Sequence, residues 1–197
     1  MSWLLAKLYD PVMQRFERAG LAAWRAEMLG DLAGRVLEIG AGTGANVPHY
    51  PPGAEVVLVE PDPHMRAKLR ARAGRFEVRD AKAGALPFDA GGFDAVVTTL
   101  VLCSVRDLDR TVAEIARVLR PGGRVVFIEH EAAAAGTSAA RWQHRLDPAW
   151  SRLTAGCHMT RDPERALADA GFEVAVAERH VEASIPLFPI VRGTATR

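Results

Sequence analysis

The segment that most restricts this chain is Arg35-Val-Leu-Glu-Ile39 running straight into Gly40-Ala-Gly-Thr-Gly44. A short aliphatic run predicts a buried strand. Glycines at alternate positions let the backbone turn sharply at its end and lie against a ligand with no Cβ between. The theme then repeats: Ala54–Glu60, Phe76–Arg79, Phe93–Thr99 and Arg124–Glu129 read as further strands. Pro61-Asp-Pro-His-Met65 puts proline and aspartate where a helix begins, and a basic helix runs to about Ala73. Leu108–Leu119 reads as a helix with Val112, Ile115, Ala116 and Leu119 on one face, stopped by Pro121-Gly-Gly123. Strands that alternate with helices and are nearly continuous in Val, Ile and Leu predict parallel pairing with both faces covered. The fold class is α/β, a doubly wound sheet.

The flanks differ from this core. Leu5, Leu8, Tyr9, Val12 and Phe16, then Leu21, Trp24 and Met28, recur at helical spacing, and Pro11 and Gly20 divide them into two short helices. Ala132–Ala135 reads as a loop or a helix start. Asp162–Ala170 reads as a helix closed by Gly171. Phe172–Arg179 and Pro189–Ala195 read as an antiparallel strand pair at the sheet edge, joined by a proline-containing loop. At 197 residues the chain fits a single domain. Residues 1–32 form a helical cover, 35–130 the core, 131–170 a lid and 171–197 the strand pair.

Composition narrows the partners. A net charge of +1, from 25 basic and 24 acidic residues without a basic block, argues against a nucleic-acid footprint. No apolar run approaches the roughly 20 residues of a membrane span. The apolar stretch in Met1–Asp10 is too short for a signal peptide, so a cytoplasmic protein is expected. Cys103 and Cys157 are too few for a disulfide framework, and no His, Cys or Asp set has ligand spacing, so no metal is expected.

The acids around the glycine loop define its ligand. The dinucleotide fingerprint is Gly-x-Gly-x-x-Gly, and here the third slot holds Ala45. Glu38, just ahead of the loop, would repel a pyrophosphate and favour a cationic head. Glu60 ends the next strand, 20 residues after Gly40, where an acid accepts both ribose hydroxyls. Together these describe an adenosine cofactor with no phosphate and a cationic amino-acid tail, which S-adenosylmethionine fits.

These residues resemble the class I S-adenosylmethionine-dependent methyltransferases, as do Leu86-Pro-Phe88 ahead of Phe93-Asp94 and Glu114-Ile-Ala-Arg-Val-Leu-Arg-Pro-Gly-Gly123. A narrower set is similar to the methyltransferase-like seven family, thiol methyltransferases of animal membranes. It comprises Gly42-Thr-Gly-Ala-Asn46, Tyr50-Pro-Pro-Gly53, Thr99-Leu-Val-Leu-Cys-Ser-Val105, Glu129-His130, Leu146-Asp-Pro-Ala-Trp150, Gly156-Cys157 and Thr160-Arg161. The resemblance implies a Rossmann-like, mostly parallel seven-stranded sheet with an antiparallel last strand. It implies methyl transfer to the thiol of a small molecule, including a sulfur-containing natural product. An O- or N-methyltransferase of another small or lipid-like acceptor and a non-catalytic cofactor-binding protein remain alternatives. The animal proteins begin with a membrane anchor, which the start of this chain does not match.

The implied cofactor contacts are Glu38, Gly40, Ala41, Gly42, Gly44, Asn46, Glu60, Pro61 and Leu100. Asp80-Ala81, or backbone near Lys82 and Ala83, would meet the adenine. Tyr9 could meet the methionine carboxylate from the helical cover, with core packing as the alternative. His130, at the carboxyl end of the fifth strand, is the candidate base or acceptor-positioning group, with Glu129 to orient it. Cys103, Trp150 and His158 would line the acceptor pocket, Trp150 as an apolar wall and the Asp147–Trp150 segment as part of a lid. Cys157 reads as a packing residue.

Overall fold

The computed structural model describes residues 3–154, 156–180 and 189–197. The elements in chain order are α1 (Trp3–Phe16), α2 (Ala22–Leu29), β1 (Gly34–Ile39), β2 (Ala54–Val59), α3 (Pro63–Arg72), β3 (Glu77–Arg79), β4 (Phe93–Thr99), α4 (Leu108–Val118), β5 (Leu119–His130), α5 (Ser138–Leu153), α6 (Pro163–Asp169), β6 (Glu173–His180) and β7 (Ile190–Thr196). The seven strands form one sheet in the order β3-β2-β1-β4-β5-β7-β6. β1 to β5 pair in parallel, and β7 runs antiparallel to both β5 and β6. The C-terminal pair lies at the sheet edge, as expected, with β7 next to β5 and β6 outermost. The loop expected between β6 and β7 lies outside the described residues.

Alternation along the strands sorts the core into two layers. Leu37, Ile39, Val57, Val96, Val125 and Phe127 pack with Val112 and Ile115 of α4 and Leu167 of α6. Val36, Leu58, Ala95, Val97 and Val126 pack with Leu29 of α2 and Leu69 of α3. Helix starts follow the sequence signals: Asp62, Asp107 and Asp162 each accept backbone N–H bonds at the first turn of α3, α4 and α6.

Two local expectations are corrected. Pro11 does not divide the first helix but lies inside α1. Pro11 is exposed, so its ring lies on the solvent side of the helix. The break comes at Gly20, with φ 138°, inside a widened turn over Glu17–Leu21. Likewise α4 stops at Val118, and fully buried Leu119 already pairs with Phe93 in β5. Pro121-Gly-Gly123 then forms a bulge in that pairing. Residues 132–135 are loop, and α5 begins after Thr137.

The N-terminal helices are tied over the carboxyl end of β1. Asp10 accepts the Thr43 hydroxyl at 2.6 Å and pairs with Arg72 at 2.7 Å and Lys68 at 3.3 Å. Burial opposes its ionisation, but the Thr43 and Arg72 contacts outweigh it and hold its pKa below the usual carboxylate range. Arg192 of β7 bonds Glu27 at 2.6 Å and lies over the Trp24 ring. Among the described residues no helix is long and apolar enough to cross a membrane.

Candidate active site

The sheet order reverses between β1 and β4, so a crevice opens at their carboxyl ends, where open α/β sheets hold ligands. The glycine loop forms its floor. Gly40 has φ 65°, and a Cβ there would come within 2.7 Å of the Val101 side chain. Gly42 has φ 57° and faces the opposite situation: a Cβ would meet nothing nearer than 3.9 Å. The loop thus packs tightly inward and is open outward. The Gly42 N–H donates to Glu60 at 2.9 Å, and Asp62 N–H donates to the other Glu60 oxygen at 2.8 Å. Burial raises the Glu60 pKa, and these two bonds oppose the rise.

Glu38 is not an open carboxylate at the cleft. It is 3% exposed and faces the α2/α3 layer. One oxygen accepts from Asn46 at 3.0 Å and the other from the Tyr50 hydroxyl at 2.7 Å. Asn46 in turn accepts from Arg25, which also pairs with Glu17 at 3.0 Å. Burial raises the Glu38 pKa, against the Tyr50 and Asn46 bonds and the Arg25 charge. Arg25, Asn46, Glu38 and Tyr50 form a fully enclosed polar chain beneath the glycine loop.

Across the crevice, β4 ends in a strained turn. Leu100 has φ 57°, unusual for a residue with a branched side chain and worth roughly 1–3 kcal/mol of strain. Its N–H donates to the Ile128 carbonyl at 2.8 Å. Glu129, fully buried, accepts from Val101 N–H at 2.9 Å and Leu102 N–H at 3.1 Å. Burial pushes the Glu129 pKa up to about 7, with those two bonds opposing it. The expectation that Glu129 orients His130 is corrected here. Neighbours on a strand point to opposite faces, and Glu129 fastens the 100–103 turn instead.

That turn delivers Cys103 to His130. Cys157 Sγ lies 3.5 Å from Cys103 Sγ and 3.4 Å from His130 Nδ1. The sequence shows no ligand spacing, yet the fold brings one donor atom from each of the three residues within 4.8 Å of one another. The neighbouring thiol and the imidazole hold the Cys157 pKa down, and the Trp150 indole adds to this. Its partner Cys103 is pushed up by the same contact and by burial. The His158 N–H donates to the Cys103 carbonyl at 2.8 Å, while the His158 ring bonds Asp147 of α5 at 2.8 Å. Asp147 also accepts Met159 N–H at 2.6 Å, and Arg161 donates to the Leu102 carbonyl at 2.8 Å. The Asp147–Trp150 segment is therefore helical and pins the 156–161 segment over the β4 turn.

The sequence matches the family described as a methyltransferase domain over residues 37–127. The human thiol S-methyltransferase TMT1A is 37% identical, over 93% of this chain and 82% of that protein. The chain belongs to the thiol S-methyltransferase family. A phosphatidylethanolamine N-methyltransferase from Cereibacter sphaeroides is 35% identical over 72% of this chain and 71% of its own length. In structure, a geranyl diphosphate methyltransferase in complex with S-adenosylmethionine superposes with a TM-score of 0.72 at 19% identity, over 90% of this chain and 84% of that one.

The protein is thus a methyltransferase whose cofactor is S-adenosylmethionine. The crevice fits that group. Its floor is open at Gly42, and Glu60, which accepts the Gly42 N–H, disfavours a pyrophosphate there. Gly40, Ala41, Gly42, Gly44, Glu60, Leu100 and Tyr9 all belong to this end of the sheet. The Tyr9 pKa is pushed up to about 12 by desolvation, opposed by Arg25 and reinforced by Cys103, Glu17 and Glu60. Its surroundings therefore include both Glu60 and the cysteine turn. Asp80 is more peripheral: it is mostly exposed and pairs with Arg66 at 2.8 Å, whose other nitrogen donates to the Glu60 carbonyl. Ala81 is buried and Pro61 exposed. Arg25, Tyr50, Asp10 and the partnership of Cys157 were not singled out in sequence. Tyr50 and Cys157 did carry a signal, in Tyr50-Pro-Pro-Gly53 and Gly156-Cys157.

Proposed function

We propose that the protein transfers the methyl group of S-adenosylmethionine to the thiol of a small molecule. The kinship with a thiol S-methyltransferase over 93% of the chain carries this reading, because it includes the acceptor-side segments and not the glycine core alone. The cofactor supplies a sulfonium methyl, an electrophile that needs no activation. The chain must hold it, bring the sulfur in line and ease loss of the acceptor's proton.

Glu60 takes the ribose hydroxyls, the loop from Gly40 to Gly44 lies along the cofactor backbone, and Tyr9 meets its carboxylate from the helical cover. Glu38 acts from beneath the loop, through Asn46 and its charge. Asp80 and Ala81 border the adenine. On the acceptor side Trp150 walls the pocket and His130 meets the thiol. A free thiol has a pKa near 8.5, so roughly 3% is thiolate at pH 7. A group that raises this fraction speeds transfer directly. His130→Ala should lower the rate at pH 7 by roughly tenfold to a thousandfold. The defect should shrink as pH passes the acceptor's own pKa, where solvent supplies thiolate. A defect equal at every pH would remove His130 from the proton problem and leave it only a positioning role.

The bacterial phosphatidylethanolamine N-methyltransferase relative supports a second reading, an N-methyltransferase of a lipid-like acceptor. Incubation with labelled cofactor and a panel of alkyl thiols, phenols and amines, lipid amines included, decides between them. Turnover of amines without turnover of any thiol would replace the first reading by the second.

A further inference from the structure

Three segments far apart in the chain converge on one point. Cys103 sits in the turn after β4, His130 ends β5, and Cys157 follows α5. Both cysteines are buried and His130 is half-buried. Cys157 Sγ is 3.5 Å from Cys103 Sγ and 3.4 Å from His130 Nδ1, and one donor atom from each residue lies within 4.8 Å of the others. A tetrahedral zinc ion with Zn–S near 2.3 Å and Zn–N near 2.0 Å sets its ligand atoms about 3.5–3.8 Å apart. Two edges of the trio are therefore close to those of such a site, and the third is short enough for a small adjustment to complete it.

The supports of these corners are protein groups. Glu129 fixes the Cys103 turn through Val101 and Leu102. The Cys103 carbonyl accepts the His158 N–H, and Asp147 holds His158 and Met159 beside Cys157. Such supporting bonds orient metal ligands before the metal arrives. Two thiolates and an imidazole form a donor set that suits a thiophilic d¹⁰ cation, and three protein ligands leave a fourth position for water or substrate.

We propose that Cys103, His130 and Cys157 bind one zinc ion whose fourth position takes the acceptor as a thiolate. The proposal rests on the thiol reading above and specifies how His130 eases the proton's loss: by holding the metal rather than by taking the proton. On metal binding Cys103 and Cys157 both coordinate as thiolates, and any thiol proton still carried goes to solvent. The acceptor thiol releases its own proton as its sulfur displaces the bound water, since a coordinating thiol is deprotonated outright. The thiolate's electron pair then forms the new carbon–sulfur bond. The methyl–sulfonium bond breaks, its pair stays on the cofactor sulfur, and the neutral thioether, a weaker ligand, departs.

The test uses the full chain, freed of metal by a chelator, kept reduced, and titrated with Zn²⁺ and Co²⁺. One equivalent of each should bind. The cobalt form should show a sulfur-to-cobalt charge-transfer band and the intense visible bands of a tetrahedral ion. Cys103→Ser, Cys157→Ser and His130→Ala should each weaken binding by roughly a hundredfold or more. The wild-type cobalt spectrum needs no variant to fold. Adding an alkyl thiol without cofactor should shift the visible bands. No stoichiometric metal uptake, or uptake unchanged by all three variants, would overturn the site. A cobalt spectrum unmoved by any thiol would overturn the fourth-ligand role. A mass two hydrogens lower, with no metal, in protein prepared without oxygen would reveal a Cys103–Cys157 disulfide and overturn the proposal. Thiol turnover in metal-free protein would sink the zinc and spare the thiol reading. A thiol-sensitive cobalt site in a protein that methylates only amines would uphold the metal and sink that reading.

Discussion

Two buried acids lie in the strands on either side of β4, and their partners differ in kind. Glu38 of β1 is held by side chains, the Asn46 amide and the Tyr50 hydroxyl. Glu129 of β5 is held by main chain, the N–H groups of Val101 and Leu102. A hydroxyl or amide can rotate to a new partner, whereas a backbone N–H in a fixed turn cannot. Glu38 beneath the glycine loop thus belongs to a network that can rearrange, and Glu129 beside the β4 turn to one that cannot. That rigidity is what keeps Leu100 in its left-handed conformation and Cys103 beside His130 and Cys157.

The largest effect expected from this contrast is that of Glu129→Ala. It strands two buried N–H groups, at about 1–3 kcal/mol each, and removes the support of a strained residue. A loss of about 3–5 kcal/mol lowers Tm by roughly 6–20 °C in a chain of this size. Scanning calorimetry that found Tm within about two degrees of wild type would break the comparison.

Glutamine sharpens it. Glu38→Gln should cost less than about 1 kcal/mol, because the Tyr50 hydroxyl can turn to accept from the new amide while Asn46 keeps its oxygen. Glu129→Gln should cost about 1–3 kcal/mol, since its NH₂ would confront an N–H that cannot turn. Equal losses in chemical denaturation would show that side-chain and main-chain partners are not distinguished here.

On the cofactor side, Glu60→Ala should weaken S-adenosylhomocysteine binding by about 1–3 kcal/mol in titration calorimetry, because the ribose hydroxyls lose a buried acceptor. Unchanged affinity would take Glu60 out of the site. Stability should meanwhile change less than for Glu129→Ala.

The smallest effect is a difference in pH sign. Glu114, bonded by Arg117 and by Leu86 N–H, has its pKa lowered to about 2. Its contribution is present above the unfolded carboxylate pKa near 4.3 and is lost as pH falls toward 2. Discounted for the solvent around Arg117, it amounts to roughly 1–2 kcal/mol. Glu38, with its raised pKa, behaves oppositely: its contribution is present below about pH 4 and is lost as pH rises through its folded value. Stability curves of Glu114→Gln and Glu38→Gln, each subtracted from wild type, should therefore slope in opposite directions with pH. Parallel slopes would refute the assignment of one as an exposed ion pair and the other as a buried acid.

The sequence by itself determined the parallel core, the glycine turn and the acid beside it. Each is written in consecutive residues: the aliphatic runs, Gly40 to Gly44, and Glu60 at the end of the next strand. Local chemistry also set the helix starts at Asp62, Asp107 and Asp162. The antiparallel C-terminal pair is likewise legible in its own residues, while resemblance supplied most of the acceptor-side candidates. What only the tertiary structure decided are relations between residues distant in the chain. The burial of Glu38 against Tyr50 and Asn46, the arrival of Arg25 beneath the loop, the pairing of Glu129 with the 100–103 turn, and the meeting of Cys103, His130 and Cys157 leave no local pattern. They arise where β1, β4 and β5 end side by side and α2 and the segment after α5 close over them. Hydrogen bonds and sulfur contacts of that kind depend on which strands become neighbours, and strand order is fixed by the packing of the whole sheet.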